Sequence, residues 1–384
     1  MPKRPIQPPR QRQGSFNNGC VEQARLGAGL FQLFSALGAP RMKHRTFFWF
    51  ILPTLSAMVL FIALPIISVF IQSLHVEHEK VLIVTESCGP FGCQDTTTVD
   101  TEATQALRDE QPLGRFNGLR TYINRSHLAG AEIGAAWRNT DSLGAFFRQV
   151  FDLPFYGALT FTLVYTAIVT PIVILLGLAI AVGVNNLPKL FKGPTIFFSL
   201  LPMIVTPLVG SLTLLWMVDA EGVIGATLQR IFDDDTLSVR ASTGLTWIML
   251  MVYGVWHLVP FSFIVFYAGL QTVPKDTLEA AMIDGATNWQ RMRHIIVPHL
   301  MPLVTFVTLI LLMDNFRVFE PIVGFQAQAH ATSLSFIIFN DLRESGNPLY
   351  GSAGATSMMT IIGVVILLMP VLIRTWRDFN RKVH

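Results

Sequence analysis

Apolar residues in this chain gather into long runs instead of alternating with polar ones. Six runs stand out, at 47–74, 156–184, 195–218, 245–270, 300–325 and 355–373. A bilayer core of about 30 Å is crossed by roughly 20 apolar residues in a helix, and each run approaches or exceeds that length. All six carry Gly or Pro within or near them, which membrane helices tolerate better than soluble ones. Backbone groups in lipid must be satisfied internally, so helices are the expected form. The pattern predicts an all-α polytopic membrane protein with six transmembrane helices.

Composition agrees. Of 384 residues, 51% are hydrophobic and 14% charged, and mean hydropathy is +0.49. Soluble domains average about a quarter charged residues, so a single water-soluble fold is excluded. With 29 Phe the chain is also unlike a disordered one. A net charge of +3 makes no case for nucleic acid, and three cysteines make neither a disulfide scaffold nor a four-ligand zinc site. No metal ligand set is expected.

Lys and Arg set the orientation. With the N-terminus inside, segments 1–46, 185–194, 271–299 and 374–384 hold seventeen of the 28 basic residues. By the positive-inside rule both termini face the cytoplasm. Residues 1–46 read as a cytoplasmic tail that opens on a Pro/Gln/Arg-rich run. No cleavable signal peptide is evident, which makes 47–74 a signal anchor. Residues 26–37 are apolar but too short to span, and read either as an interfacial helix or as loose tail. Cys20 falls inside and is expected to be reduced.

Residues 75–155 form the one sizeable insertion, on the periplasmic side. Cys88 and Cys93 bracket Gly-Pro-Phe-Gly, turn chemistry that suits a small disulfide ring outside the membrane; two free thiols are the alternative. Asn124-Arg125-Ser126 matches a glycosylation sequon that nothing else supports.

Segment 271–299 carries unusual punctuation for an inter-helix connection. Pro274 suits a first helical turn, Asp276 with Glu279 resembles a capping box, and Gly285 can end the helix. Thr287 and Gln290 then have capping-box spacing for a second helix that leads to Pro298. The expectation is two short helices outside the bilayer, with a small-residue face that lets another protein's backbone approach.

Glu279-Ala280-Ala281, then Asp284-Gly285-Ala286, then Ile295 and Pro298, resembles the EAA loop of permease subunits in binding-protein-dependent ABC importers. The likeness is to the maltose and glycerol-phosphate branch and covers roughly 150–376. Met292 and Val297 depart from residues common in that pattern. The resemblance implies a type I importer permease core over 156–376, with a tail at 377–384. It also implies that the loop docks on an ATPase subunit, with Glu279, Ala280, Ala281 and Gly285 in contact and Asp284 ordering the turn. Stabilisation of a helix N-terminus remains the plainer role for Glu279. Implied partners are a second homologous permease, an ATPase dimer and a periplasmic solute-binding protein, all in or at the bacterial inner membrane. No G-x-x-x-x-G-K-[ST] phosphate loop occurs in the chain, so ATP and Mg²⁺ are expected on the partner ATPase and not here.

Asp314, Asn315, Arg317 and Glu320 lie within the fifth run. Each ionisable group at membrane depth costs about 2.5–3.5 kcal/mol on insertion scales, so such groups face a cavity, a partner or each other. Spaced by three, Asp314, Arg317 and Glu320 are expected to stack on one helical face. They form either a self-neutralised ladder or the lining of a wet chamber for ligand hydroxyls. In maltose-type permeases the substrate site includes the helix that aligns here. Trp256, His257 and Phe261 flank Pro260 on the preceding run, where they read either as ring plates for a sugar or as packing residues. Pro202 and Pro207 mark helix irregularity in the third run. A transport subunit for a sugar, polyol or glycoside is the leading function. An ion-coupled secondary transporter is the alternative, with no inverted repeat to support it, and no histidine or serine motif points to a membrane enzyme.

Overall fold

The computed structural model describes residues 44–78, 81–89, 92–140, 142–233, 238, 242–343 and 349–383, with the backbone alone at 44–46, 85–89, 92–96 and 378–383. The expectations for the N-terminal tail, the 26–37 helix and Cys20 lie outside the described residues. The chain divides into two units, Met1–Ile66 and Ile67–His384.

The first unit contributes most of the span Phe47–Ser73 (α1), which exposes Trp49, Phe50 and Phe61. A helix apolar all round is stable only in lipid or against another apolar surface. A π-turn at Val59–Ala63 interrupts it, and the N–H of Leu64 bonds to the carbonyl of Val59. Pro65 follows. A proline ring clashes with the carbonyl four residues back, and a widened turn relieves that contact. The same device recurs at Met292–Ile296, where Val297 N–H bonds to Met292 O directly before Pro298.

The second unit begins, beyond α1, with the insertion. It is folded: strands His75–Val76 (β1) and Arg115–Phe116 (β4) pair, and Leu82–Gly89 (β2) with Gly92–Val99 (β3) makes an antiparallel hairpin. The register sets Cys88 directly opposite Cys93; their side chains lie outside the described ones. Helices Thr101–Glu110 (α2), Arg120–Ile123 (α3), Gly130–Asn139 (α4) and Leu143–Phe151 (α5) complete it. His127 is fully buried, with Nδ1 2.8 Å from Asn124 Oδ1 and Nε2 3.1 Å from Thr356 Oγ1. Burial pushes its imidazole below the usual histidine range. Asn124, the sequon residue, is thereby engaged in fastening the insertion to the last span.

The membrane helices follow as Pro154–Asn185 (α6), the pair Lys189–Ile204 (α7) and Pro207–Val218 (α8), Thr243–Leu270 (α10), Asn288–Phe316 (α12) and Tyr350–Val383 (α15). Val223–Phe232 (α9), Lys275–Ile283 (α11), Glu320–Gly324 (α13) and Leu334–Arg343 (α14) lie between them. The core is the α6–α10 contact. Phe161, Tyr165, Val169 and Val173 meet Leu250, Tyr253, Phe263 and Phe266, with Val307 and Leu311 of α12 closing one side.

Two expected spans are not single helices. The run at 195–218 bends by 94° between α7 and α8. Val205 and Thr206 take extended conformations ahead of Pro207, as residues before a proline tend to. The run at 300–325 stops at Phe316, and Glu320 opens a separate short helix. Pro321 has no N–H to give the Arg317 carbonyl, so the α-helical ladder cannot continue.

The segment after α10 also differs in part. Pro274 is the N-cap of α11, and no side-chain cap bond forms, so the Asp276/Glu279 capping box is absent. Gly285 does end the helix. At φ +76° it accepts the left-handed turn, with Ala286 N–H on Ala281 O (2.9 Å) and Gly285 N–H on Met282 O (3.1 Å). This is a Schellman closure. The Thr287/Gln290 capping box is present, but its helix runs on through Pro298 into the membrane span, so no separate second helix exists.

Candidate functional site

A cavity of about 390 Å³ opens among α6, α8, α10, α13 and the end of α12. Asp314, Asn315, Arg317, Glu320 and His257 all line it. Arg317 forms an ion pair with Asp314 (Nη2 to Oδ1, 2.9 Å), and both side chains are substantially exposed to the cavity. The ladder therefore has one rung, because the break at Phe316 moves Glu320 off that face. Asn315 is 2% exposed and donates to Thr170 Oγ1 (3.0 Å), so its amide nitrogen holds α12 against α6.

His257 donates from Nδ1 to the Pro202 carbonyl (3.1 Å) and stacks on Tyr253, centroids 6.0 Å apart and rings 10° from parallel. Tyr253 in turn donates to Pro207 O (2.7 Å). The carbonyls of both prolines, on either side of the α7–α8 bend, thus serve as acceptors for α10. Trp256 lies elsewhere, in an apolar groove of about 730 Å³ shared by α6, α7 and α10. Phe261 packs against the core. Neither lines the polar cavity: Trp256 turns to the groove, and Phe261, on the same face as His257, lies one turn further along α10.

Sequence reasoning missed Tyr165, Tyr253 and Gly254, which also line the cavity. Tyr253 stands four residues before His257, the spacing that brings helical side chains together. Tyr165 stands within a stripe of buried threonines, Thr162, Thr166 and Thr170, on one face of α6. A Cβ at Gly254 would lie 2.0 Å from the Tyr165 hydroxyl, so only glycine leaves that ring its place.

In the 271–299 segment, Glu279, Ala280, Asp284 and Gly285 are exposed, Ala281 and Ile295 half-buried, and Pro298 exposed. Ile283 is 87% exposed and Met282 51%, a bare apolar tip beside the Schellman turn. At 1.5 Å per residue, α12 separates this segment from Asp314 by roughly 40 Å. One helix therefore carries the capped turn at one end and the polar cavity at the other.

Apolar spans around a polar chamber, with the apolar tip of α11 just ahead of the far end of α12, define a polytopic membrane protein. Residues 142–379 match the family model described as "Binding-protein-dependent transport system inner membrane component". The chain belongs to that family and is a multi-pass inner-membrane permease. It is 28% identical over 229 residues to the trehalose transport system permease protein SugA of Mycobacterium tuberculosis, covering 59% of this chain and 72% of the relative. Over 233 residues it is 30% identical to the inner membrane ABC transporter permease protein YcjO of Escherichia coli, covering 58% and 75%. Among solved structures, a bacterial ABC transporter involved in import of the acidic polysaccharide alginate shares the fold. Its TM-score is 0.52 at 19% identity, covering 72% of this chain and 97% of that one. A bacterial alginate ABC transporter in complex with an alginate pentasaccharide-bound periplasmic protein gives a TM-score of 0.50 at 19% identity, over 66% and 89%. None of these likenesses supports the ion-coupled alternative.

Proposed function

We propose that this chain is one of two permeases in an ATP-driven importer for a sugar, polyol or related glycoside. The observation that carries the reading is the chamber. Asp314, Arg317 and Glu320 offer hydroxyl-binding groups beside the parallel rings of Tyr253 and His257. A sugar presents a hydroxyl rim and an apolar ring face, which such a lining matches. Relatives named for trehalose and lactose transport support the class.

The distribution of Lys and Arg supports an orientation with both termini in the cytoplasm. The capped segment after α10 then faces the cytoplasm, and the insertion faces the periplasm. Glu279, Ala280, Ala281, Gly285, Met282 and Ile283 contact a separate ATPase dimer that holds ATP and Mg²⁺, while Asp284 orders the turn and Ile295 and Pro298, in the first turns of α12, complete the coupling segment. The chain itself performs no covalent chemistry. A solute-binding protein delivers cargo from outside. The apolar groove that contains Trp256 faces lipid or the second permease.

Proteoliposomes that contain both permeases, the ATPase and the binding protein test this. ATP inside should drive accumulation of at least one member of a sugar and polyol panel. Asp314→Ala should raise half-saturation by tenfold or more, the size of one lost charge-assisted hydrogen bond. Accumulation driven by an ion gradient without ATP would overturn the proposal.

A further inference from the structure

A second cavity, of about 620 Å³, lies at the insertion, within the roughly 300–1,000 Å³ range of small-molecule sites. We infer that it is an outer binding site for a neutral sugar or polyol, walled by Gln72, Glu77, Gln105, Arg108, Gln111 and Tyr350. The inference rests on the carbohydrate reading above and adds a site to it.

Three amides converge there, and each side chain carries both donors and an acceptor. Sugar hydroxyls also act both ways, so an amide-rich wall pairs with vicinal hydroxyls where a purely acidic or basic wall would not. Glu77 and Arg108 balance one another in charge, which selects no ion. Pro112, Leu113 and the half-exposed ring of Tyr350 supply the apolar part that a pyranose ring face needs.

The walls are held in place. Glu77 Oε1 accepts the Gly351 N–H (2.6 Å), which joins the stretch after β1 to the start of α15. Gln105 and Arg108 stand three apart on α2 and share a face. Asp100 caps that helix, its carboxylate accepting from Ala103 N–H (3.0 Å). Thr104 Oγ1 accepts from Val81 N–H (3.1 Å), which ties α2 to the residue just before β2. Gln105 Nε2 donates to Asp109 (3.3 Å), which leaves the amide oxygen for a ligand. A site built this way binds without first ordering its walls.

The family match begins at residue 142, so five of these six residues lie outside it. The site thus belongs to what this chain adds to the shared core. On the periplasmic side it would hold cargo between its release and its entry into the membrane chamber.

Amide hydrogen exchange of the full-length chain in lipid nanodiscs, with trehalose, lactose, maltose and sorbitol as probes, decides the matter. At least one probe should slow exchange across 101–112 as well as across 314–321. Gln105→Leu with Gln111→Leu should remove the protection at 101–112 and keep that at 314–321. Protection confined to 314–321 for every probe would overturn the outer site and leave the carbohydrate reading standing. Protection at neither segment would remove both. Outer protection that persists in the double variant would refute the assignment to these amides.

Discussion

Ile283→Asp is expected to abolish ATP-driven uptake while the chain remains inserted in the membrane. Ile283 is 87% exposed at the end of α11, beside Met282 at 51%. Burying such a side chain against a partner contributes about 1.5–3 kcal/mol. A carboxylate in the same contact would have to lose its hydration without a paired cation, a further penalty of several kcal/mol. If the tip docks on the ATPase as proposed, the combined loss would weaken that binding by three or more powers of ten. Gly285→Ala tests a different term. Open space surrounds the position where its Cβ would stand, so only the φ of +76° opposes the change. An L-residue there costs about 1–2 kcal/mol, so uptake should fall by about tenfold without being lost. Transport assays with pull-down of the ATPase from the same membranes separate the two variants. Full uptake in Ile283→Asp would remove the tip from the contact.

Gly254→Leu is expected to eliminate transport through the chamber. Its Cβ alone would sit 2.0 Å from the Tyr165 hydroxyl, and the rest of the side chain would enter the cavity between Tyr165 and Tyr253. Overpacking of this kind costs about 1–3 kcal/mol in stability, and the space for cargo goes with it. Gly183→Ala is the matched control on α6, because no atom lies within 4 Å of the Cβ position. It should leave uptake unchanged and raise thermal stability slightly, since alanine favours the helix by about 1 kcal/mol. Uptake that survives Gly254→Leu would mean that cargo takes another path.

The spans were legible because a membrane helix is selected for unbroken apolar length, a property a sequence carries openly. The helix ends were legible where a single residue type determines the backbone. Gly285 stops α11 and the Thr287/Gln290 pair starts α12, each through bonds that side-chain chemistry dictates. The breaks at Pro207 and Pro321 were less so. Proline also sits inside helices here, at Pro53, Pro171, Pro260 and Pro302, and its presence alone does not separate a kink from a stop.

The chamber was half visible. Asp314, Arg317, Glu320 and His257 advertise themselves as polar groups at membrane depth. Trp256 and Phe261 carried no comparable signal, since the direction of a ring on an all-apolar helix depends on its neighbours. The fold of the insertion was hidden for a similar reason. His127 draws its meaning from Ser352 and Thr356, more than two hundred residues away along the chain.

Cross-linking from residue 283 tests most directly whether the capped segment after α10 is the grip of a separate motor. A cysteine placed there by Ile283→Cys, in membranes that contain the whole transporter, should yield one major adduct, with the ATPase subunit. In intact cells it should resist an impermeant maleimide, and react once the membranes are inverted and the ATPase stripped. Ready labelling from outside intact cells, with no ATPase adduct, would contradict the account.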